Sequence, residues 1–459
     1  HLQSLSSEQW TMAPVPAREE SEKWSLAFVH KHRNPLFRGE EVQQFTNRLD
    51  RVFLHPVWGF LIFFAVMASL FTSIYWLATP LMDFVDGVFA GLGSWVAGLD
   101  EGKLWTSFLA DGLIAALAAV FVFVPQIFIL FVGIGLLESS GYLARAASLI
   151  DRPFSWLGMS GRSFVPVLSG FSCAVPALLA ARNIPSARER WLTTFIIPLM
   201  TCSARLPVYA LLLGFIFLDE PAWKAGVSLA LLYFSALLVG AAVAAFANRI
   251  LPERGGRTML MMELPLYRRP RARVVLVQSL QRTWAYVRKA GPVIAVIAIL
   301  MWAGSTFPDW KNEDPSAKVQ NSYLARAGRF LEPLVEPMGG DWRVGVGLLS
   351  AFAAREVFVS TIAVVFSITD ENEETQSEKL LEAMGSATNA NGAPLFTTSS
   401  VIGLIIFFMI ALQCMSTFAV ARREMGSWNF AFLQLVAFNL LAWILATAVV
   451  QGLRALGVA

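Results

Sequence analysis

Long apolar runs alternate with polar segments along this chain. An α-helix needs about 20 residues to cross a bilayer, so runs of that length are candidate transmembrane helices. Seven such runs occur, at residues 57–79, 113–137, 191–218, 226–248, 290–307, 400–421 and 431–450. The pattern therefore predicts an all-α polytopic membrane protein with about 7–8 transmembrane helices.

One apolar stretch contains residues that break helices. Residues 169–180 read SGFSCAVPALLA, and arginines flank the wider segment 164–181 on both sides. If both flanks lie on one side of the membrane, this segment enters and returns as a re-entrant or discontinuous helix. Irregular backbone is tolerated at membrane depth only where it is buried in protein or lines a polar cavity. We therefore expect broken helices at 164–181 and 344–360 to line a path near the midplane.

An internal repeat relates two parts of the chain. The aligned pairs are YLARA at 142–146 with YLARA at 323–327, Gly158 with Gly339, and LMTCSA at 199–204 with ALQCMS at 411–416. The charge pattern indicates that the first span of the first copy runs toward the cytoplasm and the first span of the second copy runs away from it. This predicts two inverted repeats. Transporters built on this plan place their site at the interface between the repeats.

The distribution of charge predicts orientation and a division into segments. Lysine and arginine collect before the first run and in the 249–289 loop, whereas 80–111 and 369–397 are mainly acidic. Since cytoplasmic loops carry the excess of Lys and Arg, the amino terminus and the 249–289 loop are predicted to be cytoplasmic. The predicted segments are 1–50, a linker; 51–112, a first transmembrane helix and external loop; 113–248, the first repeat; 249–289, a basic loop; and 290–459, the second repeat.

Composition narrows the class of function. The 459 residues are 56% hydrophobic and 15% charged, and the net charge of +3 by itself says little about partners. No nucleic-acid partner is expected. The phosphate-binding pattern G-x-x-x-x-G-K-[ST] does not occur in the sequence. No nucleophile–base pair or pair of carboxylates stands out either, so we expect a transport protein rather than an enzyme.

Sulfur-bearing residues mark the segments that break. Cys173 lies on the first broken helix, Cys202 in a span interrupted by prolines, and Cys414 at the position that the repeat pairs with Cys202. An odd number of cysteines in apolar segments does not form a disulfide framework. Thiolate, thioether and carboxylate together suit a first-row transition cation. Further candidates for the path are Glu138, Ser169, Ser172, Met200, Glu356, Gln413 and Met415.

Several candidates have a plain structural alternative. Any single cysteine is also an ordinary small residue of a membrane core. Glu138 ends its span, so an interfacial position is the alternative to a transport role. Arg355 and Glu356 are adjacent, and an internal ion pair between them is the alternative to a place on the path.

Long motifs of the chain resemble the ferrous-iron transport protein B family. Residues 137–212, from LESSGYLARA to PVYALL, resemble its first Gate region. LLSAFAAREVFVSTIAVVF at 348–366 and ALQCMSTFAVARREMGSW at 411–428 resemble its second Gate region. Residues 46–67 resemble the entry to its first membrane span.

The resemblance implies Fe²⁺ uptake across a bacterial inner membrane, with Cys173, Cys202 and Cys414 as iron contacts. Family members carry an amino-terminal GTP-binding domain, so we expect 1–50 to connect to such a domain and GTP and Mg²⁺ to act only through it. No permanently bound cofactor is expected. The implied partners are Fe²⁺, the bilayer and the G domain or small cytoplasmic accessory proteins, with a second copy of the chain as a further candidate. A Gate-type carrier for a nucleoside or another small organic solute remains the alternative.

Overall fold

All regular structure in the described part of the chain is helical. The computed structural model describes residues 39–55, 57–99, 103–218, 220–250, 267–308, 310, 320–352, 355, 357–366, 373–388 and 392–457. The chain divides into two compact units, residues 1–52 and 53–459. An isolated bridge between Thr388 and Pro394 is the nearest approach to β-structure within the described ranges.

The helices are numbered in chain order. They are α1 Gly39–Phe53, α2 Trp58–Ala97, α3 Leu104–Ser107, α4 Ala115–Phe121, α5 Val124–Ser140, α6 Tyr142–Trp156, α7 Phe164–Ser172, α8 Ala174–Ala181, α9 Ala187–Ile196, α10 Leu206–Ile216, α11 Ala222–Ile250, α12 Ala272–Thr306, α13 Tyr323–Val335, α14 Trp342–Ala351, α15 Val357–Val365, α16 Glu373–Ser386, α17 Thr398–Ile410, α18 Met415–Met425 and α19 Trp428–Ala455. A π-helical segment, Phe108–Ile114, joins α3 to α4.

Six stretches are long and apolar enough to cross a membrane. They are Leu104–Ser140, Ala187–Ile216, Trp223–Ile250, Ala272–Thr306, Thr398–Met425 and Trp428–Ala455. A seventh is obtained when Thr46–Phe53 and Trp58–Leu70 are counted as one span. The prediction of an all-α polytopic membrane protein is therefore confirmed, with six or seven spans in the described part of the chain.

Two of these spans lie inside the bundle. In Ala187–Ile216 and Thr398–Met425, 72% and 78% of the most apolar window is buried by protein, against 17–28% for the other four spans. Both inner spans are interrupted, the first by Ile197–Arg205 and the second by the residues between α17 and α18. Irregular backbone therefore lies where protein surrounds it, which is the condition that a membrane imposes.

Both predicted broken helices are confirmed. Segment 164–181 forms α7 and α8, which meet at Cys173 in an extended conformation, with φ −159° and ψ 133°. Pro176 lies in the first turn of α8, where a missing N–H does no harm, whereas within one continuous helix it would break the ladder. Segment 344–360 forms α14 and α15, and the described residues between them, Phe352 and Arg355, lie in turns.

The repeat also recurs in the backbone. YLARA begins α6 in the first copy and α13 in the second. A broken helix and then an interrupted span follow in both, with α16 between them in the second copy. Gly158 and Gly339, which the repeat aligns, both adopt left-handed backbone, with φ of 77° and 85°. The opposite orientation of the two copies and the division into five segments remain predictions.

Replacing Gly339 by alanine is expected to destabilise the protein more than replacing Gly426. Both residues have positive φ, so each substitution costs about 1–2 kcal/mol of backbone strain. At Gly339 the new Cβ would lie 2.5 Å from the Cβ of Ser400, whereas at Gly426 nothing lies within 4 Å. The crowding at Gly339 adds about 1–3 kcal/mol. Melting temperatures in detergent measure the difference, and equal losses in the two variants would contradict it.

Candidate functional site

All three cysteines of the chain line one cavity. The cavity has a volume of about 100 Å³ and lies where both interrupted spans and the first broken helix approach one another. Ser172 and Met200 line it beside Cys173, Cys202 and Cys414. We call it the thiol cavity. All three thiols are free and half-buried.

Each cysteine lies at a break in a helix, immediately before a new helical segment begins. Cys173 precedes α8, Cys202 precedes the 3₁₀ turn Ser203–Arg205 that leads into α10, and Cys414 precedes α18. All three have extended backbone rather than helical dihedrals. The breaks therefore place peptide groups that are outside the helical ladder beside each thiol, as in transporters built from discontinuous helices.

Polar side chains donate hydrogen bonds to the carbonyls that the prolines leave without a helical donor. Pro176 has no N–H to give to the carbonyl of Ser172, four residues earlier, and the hydroxyl of Ser203 donates to that carbonyl instead, at 3.0 Å. The amide of Gln126 donates in turn to the Ser203 hydroxyl, at 3.1 Å. This chain of hydrogen bonds joins α5, the first broken helix and the first inner span along one wall of the cavity.

A second such carbonyl lies in the first inner span. Pro198 leaves the carbonyl of Thr194 without its helical donor, and the buried amide of Gln434 on α19 donates to it at 2.9 Å. The break in the second inner span is bound by the same helix, because the amide of Asn439 donates to the carbonyl of Leu412 at 3.2 Å. Helix α19 thus stabilises both interruptions, since buried backbone groups need partners.

Arg205 ties the two inner spans together. Its side chain is fully buried, and one terminal nitrogen donates to the carbonyl of Met409 at 2.9 Å. The other donates to the carbonyls of Pro198 at 3.1 Å and Ala411 at 3.3 Å. The acceptors thus come from both interrupted spans. A charged residue at such depth is expensive in a membrane and marks a structural or functional centre.

A second guanidinium, that of Arg355, lies within the thiol cavity itself. Arg355 is located in the break between α14 and α15 and is 5% exposed. Its Nη1 donates to the Sγ of Cys202 at 3.4 Å, and its Nη2 to the carbonyl of Ala411 at 3.4 Å. The second broken helix therefore reaches the cavity through this arginine.

Some predicted site residues lie away from the thiol cavity. The hydroxyl of Ser169 donates within α7 to the carbonyl of Val165, and the side chain of Gln413 is fully buried without a hydrogen-bond partner. The backbone N–H of Met415 donates to the carbonyl of Phe352 at 3.1 Å. None of these three lines the cavity in the described part of the chain.

The two predicted carboxylates have different outcomes. Glu138 is exposed and lies 3.4 Å from the guanidinium of Arg282, at the rim of a separate cavity of about 570 Å³. This placement fits the interfacial alternative. Glu356 lies outside the described residues, so its pairing with Arg355 stays a hypothesis.

Sequence reasoning missed Gln126, Ser203 and Arg205. Arg205 carried a usable signal, because it is an isolated arginine in an apolar span. Gln126 and Ser203 carried none, since their role depends on a carbonyl freed in another segment. In the part of the chain that the structure describes, no group of three or more His, Cys, Asp or Glu side chains lies close enough together to hold a metal ion.

Two family models match the chain. The model described as Gate, nucleoside recognition, matches residues 120–216 and 287–428. These two segments contain all three cysteines, Arg205 and Arg355. A second model, described as ferrous iron transport protein B C terminus, matches residues 229–282.

The chain is also similar to proteins named as ferrous-iron transporters. It is 38% identical over 418 residues to the Fe(2+) transporter FeoB of Leptospira biflexa, covering 89% of this chain and 60% of that protein. It is 34% identical over 398 residues to that of Campylobacter jejuni, covering 85% and 62%. Identity to the Fe(2+) transport protein A/Fe(2+) transporter FeoB fusion protein of Porphyromonas gingivalis is 32% over 438 residues, covering 89% and 51%. The chain thus spans 51–62% of the length of these relatives, and no solved structure matches it.

Proposed function

Because this chain belongs to the FeoB family, as its Gate-containing membrane part, we propose that it forms the path by which Fe²⁺ enters the bacterial cytoplasm. The observation that carries the proposal is that Cys173, Cys202 and Cys414 line one cavity at three helix breaks, where an ion would meet them in passing rather than be held by all three at once. Thiolate and thioether donors suit a first-row transition cation, and Met200 adds a thioether to the same wall.

Three adjoining cavities along α7 support a continuous route. Ser172 lines both the thiol cavity and a small second cavity, and Ser169 lines that second cavity and the 570 Å³ cavity. Glu138 lies at the far end, in the third cavity. An ion leaving the thiols would pass the two serine hydroxyls and reach Glu138. Motion of the helices would have to widen the small cavity, which has a volume of only about 10 Å³.

The direction of this route follows from charge. Arg162, Arg182, Arg282 and Lys289 line the 570 Å³ cavity. Because positive residues collect on the cytoplasmic side, we assign this cavity, the amino terminus and the 249–289 loop to the cytoplasm of a bacterial inner membrane. Opening would then be controlled from the cytoplasm by a GTP-binding domain outside this chain. The fusion relative suggests a small iron-transport protein A as a further partner.

A nucleoside carrier is the second candidate, since the Gate model is described as nucleoside recognition. Pockets for organic ligands are usually about 300–1,000 Å³ in volume, with several converging polar groups. The thiol cavity is about 100 Å³, and Gln126 is the one amide side chain among the residues that line it. Its size and lining therefore favour a single ion over a nucleoside.

Flux measurements on the full-length parent protein separate the two candidates. Purified protein is reconstituted in vesicles and supplied with GTP. Either anaerobic Fe²⁺ or labelled uridine is added to the solution outside the vesicles, and its accumulation inside is measured. The proposal predicts Fe²⁺ accumulation that exceeds that of empty vesicles and uridine accumulation that equals it. Uridine uptake without Fe²⁺ uptake would favour the carrier instead.

A further inference from the structure

Arg355 occupies the place in the thiol cavity where a cation would meet Cys202. Its guanidinium is nearly fully buried and lies against the Sγ of Cys202, at 3.4 Å. Cys173 and Cys414 line the same cavity. A permanent positive charge is therefore already present among the side chains to which the proposed function assigns an incoming dication.

The two buried arginines of this region are held to different degrees. Arg205 makes three hydrogen bonds to carbonyls, at 2.9–3.3 Å. To the described residues Arg355 makes two contacts, both at 3.4 Å, near the outer limit for a hydrogen bond, and the Nε of each arginine is buried without a partner there. Arg205 is thus held in place by its hydrogen bonds, whereas the guanidinium of Arg355 loses fewer and longer hydrogen bonds when it moves.

Repulsion adds to this difference. Arg205 and Arg355 donate to the same carbonyl, that of Ala411, so two positive charges lie side by side in a region of low dielectric constant. Because Arg205 is anchored by carbonyls of both inner spans, the repulsion acts to push Arg355 out. Arg355 lies between α14 and α15, outside both helices, and its carbonyl accepts from the N–H of Phe358 at 3.2 Å.

The geometry points to Arg355 as a tethered cation that occupies the thiol cavity until a divalent metal displaces it from Cys202. This inference rests on the proposed function and specifies its resting state. While the guanidinium is present, a dication that approaches the thiols is repelled and Cys202 is covered. When the guanidinium leaves, one cation replaces another and the second broken helix changes its contact with the first inner span. Metal entry is thereby linked to movement of α14 and α15.

Protection of Cys202 from alkylation tests the displacement. The full-length protein in native membranes is treated with N-ethylmaleimide at increasing Co²⁺, an air-stable divalent probe, and modification of each cysteine is counted by mass spectrometry. The measured quantity is the Co²⁺ concentration that halves Cys202 alkylation. Because protection is compared within one variant, changes in the intrinsic reactivity of the thiol cancel.

Neutralising Arg355 is expected to strengthen protection. In Arg355→Gln the half-protecting Co²⁺ concentration should fall about tenfold or more, because a repelling charge has been removed. Arg355→Lys keeps the charge and should stay close to wild type. The exposed Arg326 on α13 supplies the matched control Arg326→Gln, which should also behave as wild type.

Two results would overturn the inference alone: an unchanged value in Arg355→Gln, or an equal fall in Arg355→Lys. Absence of protection in every variant would overturn the thiol site and this inference with it, so the two failures are distinguishable.

Phenylglyoxal labelling of arginines tests the displacement in the wild-type protein, so it does not depend on any variant folding. Co²⁺ should increase modification of Arg355 and leave Arg205 unchanged, and an unchanged Arg355 would contradict displacement.

Discussion

Replacing Arg205 by methionine is expected to cost about 3 kcal/mol of stability, because three buried hydrogen bonds to carbonyls are lost at about 1 kcal/mol each. The acceptors are Pro198, Met409 and Ala411, on both inner spans, and of these the carbonyl of Ala411 keeps its second donor, Arg355. Methionine fills similar space but donates no hydrogen bond. We expect the variant to melt well below wild type in detergent and to lose Fe²⁺ uptake, since the thiol cavity is bounded by these same spans.

Two variants control this result. Arg422→Met removes an exposed arginine that stacks on Trp428 at 4.0 Å, a contact worth about 0.5–1 kcal/mol at an exposed site. Arg205→Lys keeps the charge, but a lysine cannot bond three carbonyls as the planar guanidinium does. Its melting temperature should therefore lie between those of Arg205→Met and Arg422→Met. If Arg205→Met has the same melting temperature as wild type, Arg205 does not link the inner spans.

The overall architecture could be predicted because lipid imposes simple rules on sequence. Apolar runs of bilayer length predicted the spans. The dense Ser, Gly and Pro content of 164–181, between arginines on both flanks, predicted its break, because irregular backbone at membrane depth is tolerated where protein or a polar cavity surrounds it. The repeat aligned Gly158 with Gly339, and both have positive φ. These features are local or follow from internal comparison, so one sequence contains them.

The composition of the site could be predicted only in part. Cysteine is rare in this chain, so its three positions drew attention, and all three line one cavity. The partners of the freed carbonyls could not be predicted, because Ser203 and Gln434 act on segments that only the fold brings near. Gln413 and Met415 neighbour Cys414 in sequence, but they do not line the cavity in the described part of the chain. Proximity in sequence across a helix break says little about which side chains share a cavity.

Replacing Cys173 or Cys202 by serine is expected to lower Fe²⁺ uptake by about 10–100-fold, the range that even outer-shell changes at metal sites produce. Serine is close to cysteine in size, so the bundle should fold, while a hard hydroxyl replaces a soft thiol. Cys202 should be the more sensitive of the two, because it is the thiol that Arg355 contacts.

A matched control separates loss of a path ligand from loss of any sulfur. Met159 is buried in the core outside the thiol cavity, and Met159→Leu removes a sulfur at a cost below about 1.5 kcal/mol. This variant should transport Fe²⁺ at the wild-type rate. Met200→Leu removes the thioether that lines the cavity and should lower uptake less than either cysteine variant, since a thioether is a weaker ligand than a thiolate.

The most direct test of the iron path is the initial rate of anaerobic Fe²⁺ uptake by cells that express the protein. Wild type, Cys173→Ser, Cys202→Ser and Met159→Leu are compared at matched amounts of folded protein in the membrane. The thiol path predicts that both serine variants lose uptake while Met159→Leu retains it. Wild-type uptake in both serine variants would contradict the claim that iron passes the thiol cavity.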